Sequence, residues 1–133
     1  MSDHAELVQS LYAAFGRGDL GFILDRCAPD IVWESNCDPA RVPWGGAHHG
    51  TAGVTAFFQA LTGNLAFEAF EPGDAHVSGE KVFVLGRTRA RHAHGGQGAF
   101  DSGWVHVFTI ADGRLARFAE FYDTAAVERA LAV

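Results

Sequence analysis

At 133 residues, 48% of them hydrophobic, the chain is sized for one domain around one core, 1–133. Its net charge is −6 and its ten Lys and Arg form no basic run, which argues against a nucleic-acid partner. No apolar stretch approaches the ~20 residues of a membrane span and the N-terminus has no signal-peptide pattern, so a cytoplasmic, membrane-free protein is expected.

In chain order, Asp3 and Glu6 open a helix whose Leu7, Leu11 and Phe15 recur at helical spacing. Gly16 and Gly18 stop it, and Asp19 caps a short second helix that ends before Pro29. Ile31 to Ser35 reads as a strand and Asn36 to Gly50, rich in Pro and Gly, as a loop. Thr51 is placed to cap a third helix with Val54, Phe57, Phe58 and Leu61 as its apolar stripe, ended by Gly63-Asn64. The pattern then alternates. Leu65 to Glu71, Ala75 to Ser78, Val82 to Arg91, Phe100 to Ile110 and Leu115 to Tyr122 are predicted strands. Turns at Pro72-Gly73, Gly79-Glu80, His94 to Gly98 and Asp112-Gly113 separate them, and a helix over Thr124 to Leu131 closes the chain.

Helices followed by a meander of long strands give an α+β domain. Eleven Phe in so short a chain supply more apolar area than a minimal core needs, enough to line a cavity. Cys27 and Cys37 are too few for a disulfide framework and read as free, buried thiols.

Five motifs in this order carry a family resemblance: Phe15-Gly-Arg-Gly-Asp19, Ala28-Pro-Asp-Ile-Val-Trp-Glu34, His49-Gly50, Ile110-Ala-Asp-Gly-Arg-Leu115 and Glu120-Phe-Tyr-Asp123. Over nearly the whole chain they resemble the ketosteroid isomerase-like superfamily, also called nuclear transport factor 2-like, in its SnoaL-like polyketide cyclase branch. The resemblance implies a cone: a strongly bent antiparallel or mixed sheet wrapped around about three N-terminal helices plus a short C-terminal one. It leaves the reaction open, because the superfamily holds isomerases, epoxide hydrolases, dehydratases, cyclases and non-enzymatic binders.

The side chains facing the cavity depend on register, since a slip of one residue flips a face. A two-residue Asp112-Gly113 turn sets His106 opposite Ala119. A three-residue turn with Gly113 in a bulge sets His106 opposite Phe118 and Trp104 opposite Glu120. The second is preferred, because it puts Trp104, His106, Phe118, Glu120 and Tyr122 together at the pocket positions that the resemblance implies. On the strand Val82 to Arg91, matching the family turns Phe83, Leu85, Arg87, Arg89 and Arg91 inward; the alternative leaves the arginines solvated and packs the set of Val82, Val84 and Thr88 inside.

Matched onto ketosteroid isomerases, the proton-moving base falls at Ser35, the catalytic tyrosine at Phe15 and the protonated acid near His106, so two of the three roles are missing. Matched onto limonene epoxide hydrolases, Arg87-Thr88-Arg89 and Glu120 occupy the water-activating positions, with Arg89 replacing an acid. The expected catalytic set is therefore His106, Glu120 and Arg87. His106 beside a buried carboxylate is expected to titrate near neutrality as general base or acid, and Arg87 to pair with Glu120 or hold an oxyanion. Phe15, Trp33, Ser35, Phe58, Phe83 and Leu85 are expected to bind substrate, with Arg89, Trp104, Phe118 and Tyr122 completing the wall.

No cofactor is expected. Of seven histidines, His92/His94 and His48/His49 lie close in sequence, but neither pair has a Cys or carboxylate at ligand spacing, so no metal site is expected. Gly95 to Gly98 follows a strand without opening a helix and is no phosphate loop. Two functions fit: an enzyme doing cofactor-free acid/base chemistry on a small, largely apolar oxygenated molecule, or a non-catalytic ligand-binding or dimerisation module. A homodimer is expected, built on the outer sheet face with Val105, Val107 and Thr109.

Overall fold

In the computed structural model, which describes residues 3–94 and 98–132, helices α1 (Asp3–Gly16), α2 (Leu20–Arg26) and α3 (Gly50–Asn64) pack into the hollow of one bent sheet. The strands are β1 (Cys27–Ser35), β2 (Gly46–His49), β3 (Leu65–Ser78), β4 (Lys81–His92), β5 (Ala99–Ala111) and β6 (Arg114–Tyr122); helix α4 (Thr124–Leu131) follows. They lie in the order β2-β1-β6-β5-β4-β3, with β1 and β6 parallel and every other pair antiparallel.

Local chemistry explains most boundaries. Gly18, in the left-handed region at φ 73°, ends α1, and the Asp19 carboxylate accepts the Phe22 N–H at 3.1 Å to start α2. Asp123 caps α4 in the same way through the Ala126 N–H. Three expectations need correction. Asn36–Gly50 is not all loop, because Gly46–His49 pairs antiparallel with β1 as an edge strand. Thr51 does not cap α3: His49 occupies the N-cap position with no side-chain bond, and Thr51 lies in the first turn. Pro72-Gly73 is not a turn but a bulge inside one continuous β3. There Gly73 and Asp74 together oppose Leu85, and a Cβ on Gly73 would lie 2.6 Å from the Leu85 carbonyl oxygen, so a side chain would force the strands apart. A second irregularity at Glu68 adds to the bend.

The core sits between helices and sheet. Val8, Leu11 and Ala14 of α1 and Val54, Phe57 and Phe58 of α3 meet Ile31, Trp33, Val82, Val84, Phe108, Ile110, Leu115 and Phe118. Cys27 and Cys37 are buried free thiols, and burial pushes Cys27 up to about 11, so it behaves as a small hydrophobe. Residues 95–97, within the Gly-rich stretch considered above, lie outside the described residues.

Candidate functional site

The β5–β6 hairpin sets the polar side of the cavity. Asp112 and Gly113, with φ 53° and 75°, form the two-residue turn, and Ile110 faces Leu115. One extra residue on β6, Ala116, then shifts the register so that His106 faces Glu120 and Trp104 faces Tyr122. Neither expected register is therefore correct along the whole hairpin. The expected face is nonetheless observed: Trp104, His106, Phe118, Glu120 and Tyr122 all point inward, because the bulge lies in the strand instead of the turn.

These side chains meet Phe15 and Tyr12 of α1, Phe58 of α3, Trp33 of β1 and Phe70 of β3 around a cavity that opens to solvent. The wall is mostly aromatic: Trp104 lies parallel to His106 with ring centroids 3.7 Å apart, and Tyr12 and Phe70 stack against the same pair. Ser35 stands one layer behind the wall, 2.7 Å from the Tyr122 hydroxyl and hydrogen-bonded to Glu120, which it faces across the β1–β6 ladder.

Strand β4 shows the opposite orientation to the one that the resemblance implies. Val82, Val84, Thr88 and Ala90 are buried, and Thr88 accepts the Trp104 indole N–H at 2.7 Å. Arg87, Arg89, Leu85 and Phe83 are on the outer face and do not line the cavity. Arg87 lies 2.6 Å from Asp101, and Arg89 and Arg91 both pair with Glu68, the residue displaced by the β3 irregularity. Turned inward, three guanidiniums would lose hydration with Glu120 the one carboxyl in the cavity wall to share among them; outside, acids on the flanking strands and water satisfy them. Arg87 therefore does not pair with Glu120.

His106 and Glu120 differ from expectation in which of them titrates near neutrality. Burial alone lowers the imidazole from 6.5 to about 3, so it is neutral at physiological pH. Burial raises the Glu120 carboxyl from 4.5 to about 7, opposed by the Ser35 hydrogen bond. At 3.6 Å, His106 Nε2 and Glu120 Oε1 are too far apart for a hydrogen bond, and with a neutral imidazole they form no ion pair. The titrating group at neutral pH is Glu120.

Sequence reasoning missed four of the side chains that bring a polar group to the cavity, besides apolar wall residues such as Phe70 and Phe108. Tyr12 places its hydroxyl 2.7 Å from His106 Nδ1, and burial keeps that phenol protonated. As the donor it leaves the His106 proton on Nε2, the nitrogen nearer Glu120. The signal was available: Tyr12 follows Val8 by four residues, beside the Leu11 and Phe15 stripe. Trp44, from the segment read as loop, donates its indole N–H to Tyr122 at 2.9 Å. Thr88 and Ser102 complete the lining. The Trp44 indole N–H donates to the Tyr122 hydroxyl, which in turn shares a hydrogen bond with Ser35. Among the described residues, no group of three His, Cys, Asp or Glu side chains could hold a metal ion.

Residues 8–118 match the SnoaL-like domain family. The chain belongs to that family. A nuclear transport factor 2-like protein of unknown function from Burkholderia pseudomallei is 30% identical, with 100% of each chain covered and a TM-score of 0.89. TerC, crystallised with polyporic acid, is 25% identical over 98% of each chain, with a TM-score of 0.82. A Mesorhizobium loti protein provisionally described as a SnoaL-like polyketide cyclase shares the fold: 16% identity, 89% of this chain and 97% of that one, TM-score 0.72. No curated protein matches the chain. Among SnoaL-like relatives the architecture is thus shared, and no helix of the described residues is long and apolar enough to cross a membrane.

Proposed function

We propose that this SnoaL-like chain binds a small, largely apolar oxygenated molecule in the cone cavity and moves a proton on it without a cofactor. The reaction class is that of a cyclase, dehydratase or isomerase. One observation carries the reading: Glu120 is a carboxyl brought to about 7 inside an aromatic cavity. A group poised there is present in both protonation states at neutral pH, which general acid/base catalysis uses best, for ~100- to 10,000-fold in rate. The base absent at position 35 is replaced across the ladder, since Glu120 is the direct β6 partner of Ser35. Glu120 accepts the substrate proton and returns it, Ser35 donates to the carboxylate while it is charged, and the neutral His106 offers its Nε2–H to developing negative charge. TerC, co-crystallised with polyporic acid, supports a small-molecule role.

A second reading is favoured by how fully the polar groups satisfy one another: Tyr12 with His106, Ser35 with Tyr122, and Trp104 with Thr88. A non-catalytic ligand-binding module would look like this. A thermal-shift screen of aromatic, terpenoid and polyketide-like compounds, polyporic acid among them, finds ligands by the stability that they add. Each hit is then incubated with wild type and Glu120→Gln and followed by mass spectrometry. Conversion by wild type and loss of conversion with binding kept in E120Q supports the enzyme; binding with no conversion by wild type supports the module.

We further propose a homodimer through the outer sheet face. Leu85, Val105 and Phe121 face one another across β4, β5 and β6, and Leu85 and Phe121 stay 59% and 49% exposed in the single chain. Val107 and Thr109 continue that face. A monomer in sedimentation velocity at micromolar concentration would count against this interface.

A further inference from the structure

We infer that the cavity selects uncharged ligands bearing an acceptor oxygen, with aromatic ketones and quinones the class that fits, and that it rejects carboxylates. This rests on the proposed small-molecule function and adds the charge and polarity of what is bound.

Three observations converge. Among the described residues, no Lys or Arg lines the cavity: the three arginines of β4 stand outside, engaged by Asp101 and Glu68. Every group around Glu120 is uncharged at neutral pH, namely Tyr12 from α1, Ser35 from β1, His106 from β5, Tyr122 from β6 and Cys37 beyond β1. A carboxylate ligand would lose its hydration beside a carboxyl that is itself half ionised, with no counter-charge to replace the water. Third, the His106 Nε2–H stands 3.6 Å from Glu120, too far for a hydrogen bond, and is the donor in the cavity wall open to a neutral carbonyl oxygen. The stacked faces of Trp104, His106, Tyr12 and Phe70 favour a flat, aromatic body for such a ligand.

The test uses the whole chain and two probes of nearly the same shape, 2-acetylnaphthalene and 2-naphthoate, titrated by tryptophan fluorescence between pH 5 and 8. At pH 8 the ketone is expected to bind at least about tenfold more tightly than the acid. The apparent Kd of the acid is expected to rise about tenfold per pH unit relative to that of the ketone, the signature of binding only its protonated form. Measuring both probes removes the titration of Glu120 itself. Binding of naphthoate at pH 8 as tightly as the ketone, or with no pH slope relative to it, overturns the inference and leaves the small-molecule reading intact. Failure of both probes at every pH, alongside a screen without hits, overturns the inference and that reading together.

Discussion

Replacing Glu120 by Gln keeps the shape of the side chain and removes its ionisation, so the variant isolates the energy of holding that carboxyl in the cavity wall. The folded-state value, about 7, lies above the ordinary 4.5, so the protonated form is the one that the fold favours. The stability linked to Glu120 is therefore fully present below about pH 4.5 and is lost as pH rises to about 7, where the loss levels off. At about 1.4 kcal/mol per pH unit the whole span amounts to at most about 3 kcal/mol. His106 works in the opposite direction. Its value is lowered from 6.5 to about 3, so its contribution grows as pH rises through that window. Between about pH 4.5 and 6.5 the two slopes nearly cancel in wild type. In E120Q only the His106 slope remains, and the variant should gain about 3 kcal/mol on wild type from pH 4.5 to 7. Urea unfolding of both proteins at half-unit pH intervals measures this, because all other titrating groups are common to the pair. A difference between E120Q and wild type that stays constant across that range would refute the reasoning.

Three further outcomes follow from single contacts. Ser35→Ala removes the hydrogen bond that opposes burial, so the Glu120 carboxyl should titrate higher than in wild type by ¹³C NMR; an unchanged or lower midpoint contradicts the assigned bond. Gly86→Ala places a Cβ in overlap with the Trp104 ring and 2.8 Å from the Glu71 carbonyl oxygen; it should cost about 1–3 kcal/mol and alter near-UV circular dichroism, because Trp104 is pinned against His106 and Phe70. Arg87→Ala breaks an exposed pair with Asp101, so it should change stability by under about 1 kcal/mol and leave the affinity for any cavity ligand unchanged; weakened binding would show the guanidinium reaching the site.

Much of this was legible in the residues, and the exceptions have physical reasons. The alternation of Trp104, His106, Glu120 and Tyr122 and the family resemblance found the inward face of the hairpin, although Asp112-Gly113 makes the two-residue turn and not the preferred three-residue one. They did not locate the bulge at Ala116, because nothing about an alanine marks where a strand will absorb an extra residue. On β4, either alternating set can be packed on paper, since arginine stems are apolar and Thr88 is small. The deciding partners, Asp101 and Glu68, lie on neighbouring strands and become neighbours only on folding. Depth of burial, which lowers His106 and raises Glu120, is likewise a tertiary property, so titration near neutrality falls on Glu120 and not, as expected from the residues, on His106. Tyr12 was within reach of helical periodicity, whereas Trp44 was not, because an irregular segment carries no period to read.

All three tryptophans of the chain, Trp33, Trp44 and Trp104, line the cavity, which makes their indole N–H resonances direct reporters of its contents. The most direct test of the account is a ¹H–¹⁵N spectrum of the protein titrated with 2-acetylnaphthalene. If the aromatic cone beside Glu120 is the ligand site, the Trp33 and Trp104 indole signals should shift and saturate together with the backbone amides of His106 and Glu120. Saturation with those signals fixed, and with shifts confined to the outer face around Leu85 and Phe121, would contradict it.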